Sequence, residues 1–171
     1  MPPQEKKFLH ALLLTGAEYD ALQKIFAALG SFEAGWRTDA RTLERTGLSQ
    51  ELTQQIALTQ GRINPDEEMR KLVSQGIAFA SADEPDFPVE LHEIASAPMA
   101  LYIKGRVKTG LPRLAVVGTR KATAYGREAT QKIIRDLADQ TEIAIVSGLA
   151  QGIDAEAHKA ALSSGLTTIG V

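Results

Sequence analysis

The chain has 171 residues, a hydrophobic content of 44%, a net charge of −2 and no cysteine. This length suits one average domain or two small ones, and the hydrophobic content is sufficient for a packed core. The absence of cysteine excludes disulfides and thiolate metal sites and favours a reducing compartment. No apolar run approaches the roughly 20 residues of a membrane span, and the N-terminus lacks a signal-peptide pattern, so we expect a soluble, cytoplasmic protein.

Residues 1–64 are predicted to form a small helical domain. Apolar side chains recur at helical spacing in two early segments, each of which is followed by a glycine. Shorter helices are predicted at residues 31–34 and 40–45, and a longer one begins after an N-capping Ser49. Several short helices separated by glycine turns are typical of bundles of the sterile-alpha-motif (SAM) or helix-hairpin-helix kind, which bind DNA or protein or serve only to pack.

Residues 65–112 are predicted to connect this domain to the next one. Pro65 occupies the first position of a helix, and acidic residues fill its first turn. Two short strands follow at residues 77–80 and 100–104, separated by a proline-containing loop. A turn-rich linker completes this segment.

The pattern changes at residue 113, where apolar runs begin to alternate with helical segments. The runs are residues 114–117, 143–146 and 167–171, and the helical segments are residues 124–139 and 152–163. Apolar strands alternating with helices indicate a parallel sheet covered on both faces. The predicted fold class is therefore α/β, with residues 113–171 as an incomplete Rossmann-like domain, the first half of a doubly wound parallel sheet.

The helix at residues 124–139 should present one apolar side to this sheet. The side chains expected to face the core are Ala129, Ile133, Ile134, Leu137 and Ala138. Tyr125, in the first turn, is expected to pack in the core, with stacking on a nucleic-acid base as the alternative.

Two strand-to-helix loops carry the residues expected to bind a ligand. In an open parallel sheet, ligands bind where the strands end, and helix N-termini attract anions. The candidate phosphate-binding residues are Gly118, Thr119, Arg120 and Lys121 in the first loop and Ser147, Gly148 and Gly152 in the second. Glycine lets a phosphate approach the backbone, hydroxyls donate hydrogen bonds and a guanidinium grips phosphate. Two alternatives stay open: the loop glycines as turn residues, and the arginine as the partner of a nearby carboxylate.

Positive charge is concentrated before and after the first loop. Between residues 98 and 135 a single acidic residue, Glu128, opposes nine basic ones: Lys104, Arg106, Lys108, Arg113, Arg120, Lys121, Arg127, Lys132 and Arg135. The rest of the chain is acidic, so this segment indicates a polyanionic partner. A solvated helix face would have the same composition.

The loops do not match the common enzymes of this fold. The first loop lacks the Gly-x-Gly-x-x-Gly fingerprint, and Ser147 stands where a ribose-binding acid is expected, which argues against NAD. Ser147, Asp154 and His158 are the residue types of a hydrolase, but no nucleophile elbow surrounds the serine. The histidines lack metal-ligand spacing. We therefore expect no catalytic residue, no metal and no cofactor.

Several segments together resemble the DNA processing protein A family, also called DprA or Smf. The most specific is Ser-Gly-Leu-Ala-Gln-Gly-Ile-Asp-Ala-Glu-Ala-His at residues 147–158, preceded by Val-Gly-Thr-Arg at 117–120 and Thr-Ala-Tyr-Gly at 123–126. Asp-Phe-Pro-Val-Glu-Leu at residues 86–91 resembles the family's Tyr-Pro-x-x-Leu segment, with phenylalanine in place of tyrosine. The resemblance covers nearly the whole chain, more loosely before residue 65.

The resemblance implies a SAM-like domain followed by an extended Rossmann-like domain that binds single-stranded DNA, without enzymatic activity. Members protect incoming strands during natural transformation, load the RecA recombinase and form homodimers. Their DNA pocket uses loops that correspond to Gly118, Thr119, Arg120, Ser147 and Gly148 here. Further basic contacts of the family are expected beyond residue 171, because the chain stops within the expected third strand.

Two other classes of function stay open on the sequence. An enzyme on a related Rossmann-like fold, such as a nucleotide phosphoribohydrolase, needs a Pro-Gly-Gly-x-Gly-Thr loop with a catalytic glutamate, which these residues lack. A protein-binding adaptor would use the N-terminal helical domain and would not need the two loops.

Overall fold

The computed structural model describes residues 1–108 and 110–171, which fall into two compact units, Met1–Arg106 and Val107–Val171. Each unit contains its own cluster of buried apolar side chains. None of the helices in the described residues is both long enough and apolar enough to cross a lipid bilayer.

The first unit is mostly helical. Its helices are α1 (Pro3–Leu13), α2 (Tyr19–Leu29), α3 (Phe32–Arg37), α4 (Ala40–Arg45), α5 (Gln50–Gln60) and α6 (Pro65–Ser74). Strands β1 (Ile77–Ser81) and β2 (Ala100–Lys104) pair antiparallel, and a short 3-10 helix spans Val89–Glu93. The predicted N-cap Ser49 is confirmed, because its Oγ accepts a hydrogen bond from the N–H of Leu52 at 3.2 Å.

Helix α6 and the two strands share the core of the helical bundle. Phe79 of β1 is buried in the bundle's apolar cluster, and Met69 and Met99 pack against it. The described chain therefore divides into its two compact units between Arg106 and Val107, which places α6, β1 and β2 in the first unit. The physical reason is that a two-stranded ribbon is barely stable alone and gains its stability by packing on helices. The domain boundaries predicted at 64/65 and 112/113 stay a prediction.

His10 lies inside this core and is 3% exposed. Its ring centroid is 5.5 Å from those of Phe79 and Tyr102, and its Nδ1 hydrogen-bonds the Tyr102 hydroxyl at 2.8 Å. Burial disfavours the charged forms of both side chains, so it lowers the pKa of His10 and raises the pKa of Tyr102 to about 12.

We expect the first unit to lose stability as the pH falls below about 6.5, the ordinary pKa of histidine. The unfolded chain binds a proton at His10 there while the folded chain resists it, so the free energy of unfolding decreases. His10→Asn, which does not titrate in this range, should flatten the dependence of Tm on pH between about 5 and 7. Equal slopes for the parent and the variant would contradict this account.

The second unit contains a three-stranded parallel sheet and two helices. Its elements are β3 (Arg113–Ala115), α7 (Ala124–Ala138), β4 (Ala144–Ser147), α8 (Ile153–Ser163) and β5 (Thr167–Gly170), and the strand order is β3–β4–β5. Helices α7 and α8 pack against each other and therefore share one face of the sheet. Parallel strands that alternate with helices confirm the predicted α/β class.

The core-facing side of α7 differs in part from the prediction. Ile134 is 1% exposed, and Leu137 and Ala138 pack against the same cluster, as predicted. Ile133 is 56% exposed, so its predicted burial is wrong. Successive helical residues are rotated by about 100°, and the buried row runs through Thr130 and Ile134, which leaves Ile133 on the neighbouring row.

The expected core packing of Tyr125 is also wrong, since its side chain is 80% exposed. The next residue, Gly126, is the one that faces α8, because a Cβ there would lie 3.3 Å from Cδ1 of Ile153. The first turn of α7 therefore directs the glycine inward and the tyrosine outward.

Candidate functional site

The two predicted ligand loops lie side by side because β3 and β4 are neighbouring parallel strands. The first loop (residues 116–123) joins β3 to α7, and the second loop (residues 148–152) joins β4 to α8. The Val116 N–H donates to Val146 O at 2.9 Å, and the Ile153 N–H donates to Thr119 O at 3.2 Å. Both loops thus meet at the carboxyl edge of the sheet, where ligands bind in folds of this kind.

Glycines permit the close contact of the two loops. Gly152 has a φ of +91°, and a Cβ at this position would lie 2.1 Å from Thr119 O. A Cβ on Gly118 would lie 2.6 Å from the Ile153 side chain. Neither Gly118 nor Gly148 has a φ in the left-handed region, so a left-handed turn is not the reason for glycine at these two positions.

The second loop exposes a run of backbone donors. In the part of the chain that the structure describes, the N–H groups of residues 148–152 donate no hydrogen bond. Leu149 has a φ of +55°, an uncommon value for a residue with a side chain, and such a residue curls a loop so that successive N–H groups converge. Helix α8 begins directly after the loop, and its positive dipole end adds to the field. These are the features of an anion site.

Arg120 and Lys121 are the cations of the first loop. Both side chains are exposed, and neither makes an ion pair or a side-chain hydrogen bond with any residue that the structure describes. The alternative in which Arg120 pairs with a carboxylate is therefore not seen within the described residues. The Arg127 guanidinium already makes a hydrogen bond within the protein, because its Nη1 donates to Ala122 O at 2.6 Å. The charge available to an anion at this edge belongs to Arg120 and Lys121.

The two hydroxyls of the predicted site differ in what they can donate. Thr119 is exposed, and its Oγ1 accepts a hydrogen bond from the Lys121 N–H at 3.1 Å, so its own proton is available to a ligand. Ser147 is 3% exposed, and its Oγ donates to Val116 O at 2.7 Å. In this arrangement the Ser147 hydroxyl connects the first loop to β4, and its proton is not available for a hydrogen bond to a ligand.

Asp154 and His158 do not combine with Ser147 into a catalytic triad in the structure. The Ser147 proton is directed to Val116 O, and His158 Nδ1 pairs with Thr168 Oγ1 at 2.6 Å. Asp154 is 7% exposed, and its Oδ1 has no hydrogen-bond partner among the described residues. The serine–histidine and histidine–carboxylate hydrogen bonds that define such a triad are not formed between these residues.

Two exposed apolar side chains lie within the loops, and the sequence pattern does not indicate their exposure. Val117 is 79% exposed, because β3 ends at Ala115 and not at the end of the predicted apolar run. Leu149 is 69% exposed, and the one sequence signal for it is a large apolar residue inside a glycine-bearing loop. Both side chains are therefore accessible to a ligand at this edge.

Comparisons with known proteins agree on one family. The family model described as DNA recombination-mediator protein A matches residues 78–171. The Smf protein of Synechocystis is 34% identical over 145 residues, which is 81% of this chain and 36% of that protein. The DNA processing protein DprA of Streptococcus pneumoniae is 44% identical over 86 residues, which is 50% of this chain and 30% of that protein.

The fold comparison agrees with the sequence comparisons. The X-ray structure of DNA processing protein A from Streptococcus pneumoniae matches 97% of this chain and 56% of its own, with a TM-score of 0.71 and 27% identity. The chain spans about a third of the length of the curated relatives it matches.

Proposed function

Since this chain belongs to the DNA recombination-mediator protein A family, we propose that it binds single-stranded DNA through the two loops at the carboxyl edge of the β3–β5 sheet. The residues proposed to form the phosphate site are Gly118, Thr119, Arg120, Lys121, Ser147, Gly148 and Gly152. For the whole protein we propose protection of incoming strands and loading of the RecA recombinase in natural transformation, as a non-enzymatic cytoplasmic homodimer.

The run of unpaired N–H groups beside two unpaired cations is the observation that carries the proposal. The N–H groups of residues 148–152 donate no hydrogen bond within the described residues, and Arg120 and Lys121 are exposed on the adjoining loop. Backbone donors at a helix start bind phosphate without reading a base, and arginine adds a bidentate grip. Contacts of this kind suit binding that does not depend on sequence.

Within this proposal the seven residues have two kinds of role, and Gly118 has a geometric one, because the Ile153 side chain lies where its Cβ would be. Arg120, Lys121 and the Thr119 hydroxyl contact phosphate with their side chains, and Gly148 contributes a backbone N–H. Gly152 and Ser147 act on the ligand through the geometry of the loops, since one admits Thr119 O at close range and the other hydrogen-bonds Val116 O.

We expect single strands to bind more tightly than duplex DNA. The site consists of two loops at a sheet edge, and this arrangement offers neither a helix nor a ribbon to fill the major groove. Anisotropy of labelled oligo-dT, with unlabelled oligo-dT or a blunt duplex of equal length as competitor, tests the preference. Both competitions are run at the same salt concentration, because phosphate contacts make affinity strongly salt-dependent. Equal competition by the two DNAs would refute single-strand selectivity.

A further inference from the structure

The exposed surface formed by the two loops and the first turn of α7, here called the rim, is apolar as well as cationic. Three large apolar side chains there are strongly exposed: Val117 at 79%, Tyr125 at 80% and Leu149 at 69%. Single exposed apolar residues are common on protein surfaces and need no explanation. Here, however, they lie in the two loops or in the adjoining first turn of α7, close in sequence to Arg120 and Lys121 or on the neighbouring loop, so the rim offers apolar contact and positive charge together. A ligand that matches both has anionic groups and flat apolar groups in one chain.

Tyr125 has the most informative placement of the three. It lies in the first turn of α7, where Thr123 caps the helix by accepting a hydrogen bond from the Gly126 N–H at 3.1 Å. Helical side chains lean towards the N-terminus, and the N-terminus of α7 follows directly on the first loop and its cations. Among the described residues the ring makes no aromatic or cation contact, and its hydroxyl has no hydrogen-bond partner. One ring surface is thus available beside a phosphate-binding loop.

We propose that Tyr125 is a platform on which one base of a bound single strand stacks while the loops hold the phosphates of the same strand. This inference rests on the proposed function and adds to it the base contact that phosphate recognition lacks. Every base has a π-face, so stacking on tyrosine raises affinity for single strands without selecting a sequence. In a duplex the bases are already stacked on one another, so Tyr125 also contributes to the preference for single strands.

An oligo-dT and an abasic deoxyribose-phosphate chain of the same length separate the base contact from the phosphate contacts. The parent chain should bind oligo-dT roughly 5- to 140-fold more tightly, which is the ~1–3 kcal/mol of one stacked base at ~1.4 kcal/mol per decade. Tyr125→Leu, which keeps apolar bulk but removes the ring, should bind oligo-dT as weakly as the parent binds the abasic chain. Its affinity for the abasic chain should not change.

Two further variants complete the design, and melting curves check that all of them are folded. Tyr125→Phe keeps the ring and should bind like the parent. Ile133→Ala removes another exposed apolar side chain, 56% exposed on the same helix, and should have no effect on binding. If Tyr125→Leu binds oligo-dT like the parent, or if the parent binds both chains equally, Tyr125 is not a platform, although phosphate binding stands. If the parent binds neither chain, the proposed function fails and this inference fails with it.

Discussion

Gly152→Ala should destabilise the second unit and separate the two loops. The new Cβ would lie 2.1 Å from Thr119 O and 2.7 Å from Arg120 O, and backbone atoms cannot move aside like the end of a flexible side chain. Gly152 also has φ +91° and ψ −128°, a conformation almost restricted to glycine that costs other residues about 1–3 kcal/mol. With ~1–3 kcal/mol more for the overpacked contact, the free energy of unfolding should fall by roughly 2–6 kcal/mol. Thermal unfolding followed by circular dichroism measures the loss.

Gly165→Ala is the matched control for this prediction. Gly165 also has a positive φ, +73°, but no atom lies within 4 Å of the position of its Cβ. Its replacement should therefore carry only the conformational cost of about 1–2 kcal/mol. Gly152→Ala should in addition weaken binding of oligo-dT, because the first loop must move, whereas Gly165→Ala should leave binding unchanged. Similar melting and similar binding for the two variants would show that close contact at Gly152 does not hold the loops together.

The sequence is informative where a local pattern determines the structure. Strand β2 occupies the predicted residues 100–104, and α7 starts at the predicted Ala124, because periodicity and a following or preceding turn are properties of short segments. The Ser49 cap is a signal of the same local kind. The position of the candidate loops also follows from pattern, since in alternating parallel strands and helices the strand-to-helix loops collect at one edge.

The remaining features depend on contacts between residues that are distant in sequence. Gly126 faces inward, where a Cβ would lie 3.3 Å from Cδ1 of Ile153, a residue distant in sequence, and Tyr125 faces outward. Ser147 can be recognised as a hydroxyl at a strand end, but its hydrogen bond to Val116 O requires the two loops to be assembled. The need for glycine at residue 152 likewise comes from a carbonyl of the other loop.

In the assembled site the backbone and the side chains have different roles. Glycine, a buried serine and backbone hydrogen bonds fix the two loops against each other, and they leave the N–H groups of residues 148–152 without partners in the described chain. Such preorganised donors cost no rearrangement when an anion binds. The side chains that can contact a ligand are those that do not hold the loops together. Among them Arg120 is expected to contribute most to binding, because its guanidinium can grip a phosphate bidentately.

Arg120→Ala should weaken binding of oligo-dT by roughly ten- to a hundredfold. The side chain is exposed and makes no ion pair among the described residues, so its charge is available to a phosphate. Hydrogen bonds to charged groups contribute about 1.5–3 kcal/mol, and each ~1.4 kcal/mol is one decade in affinity. The slope of log K against log salt should become shallower by about 0.7, the contribution of one neutralised phosphate on a single strand. Anisotropy on oligo-dT at several salt concentrations measures both quantities.

Two other substitutions serve as controls for Arg120→Ala. Arg120→Lys should restore binding only in part, because lysine keeps the charge but not the planar fork that grips phosphate bidentately. Arg135→Ala removes an equal charge from near the far end of α7, beyond the reach of the loops, and should change little. If Arg120→Ala is folded and binds like the parent, then Arg120 does not contact phosphate. Lys121→Ala then decides whether the first loop takes part in binding, and no change there as well would remove the first loop from the site.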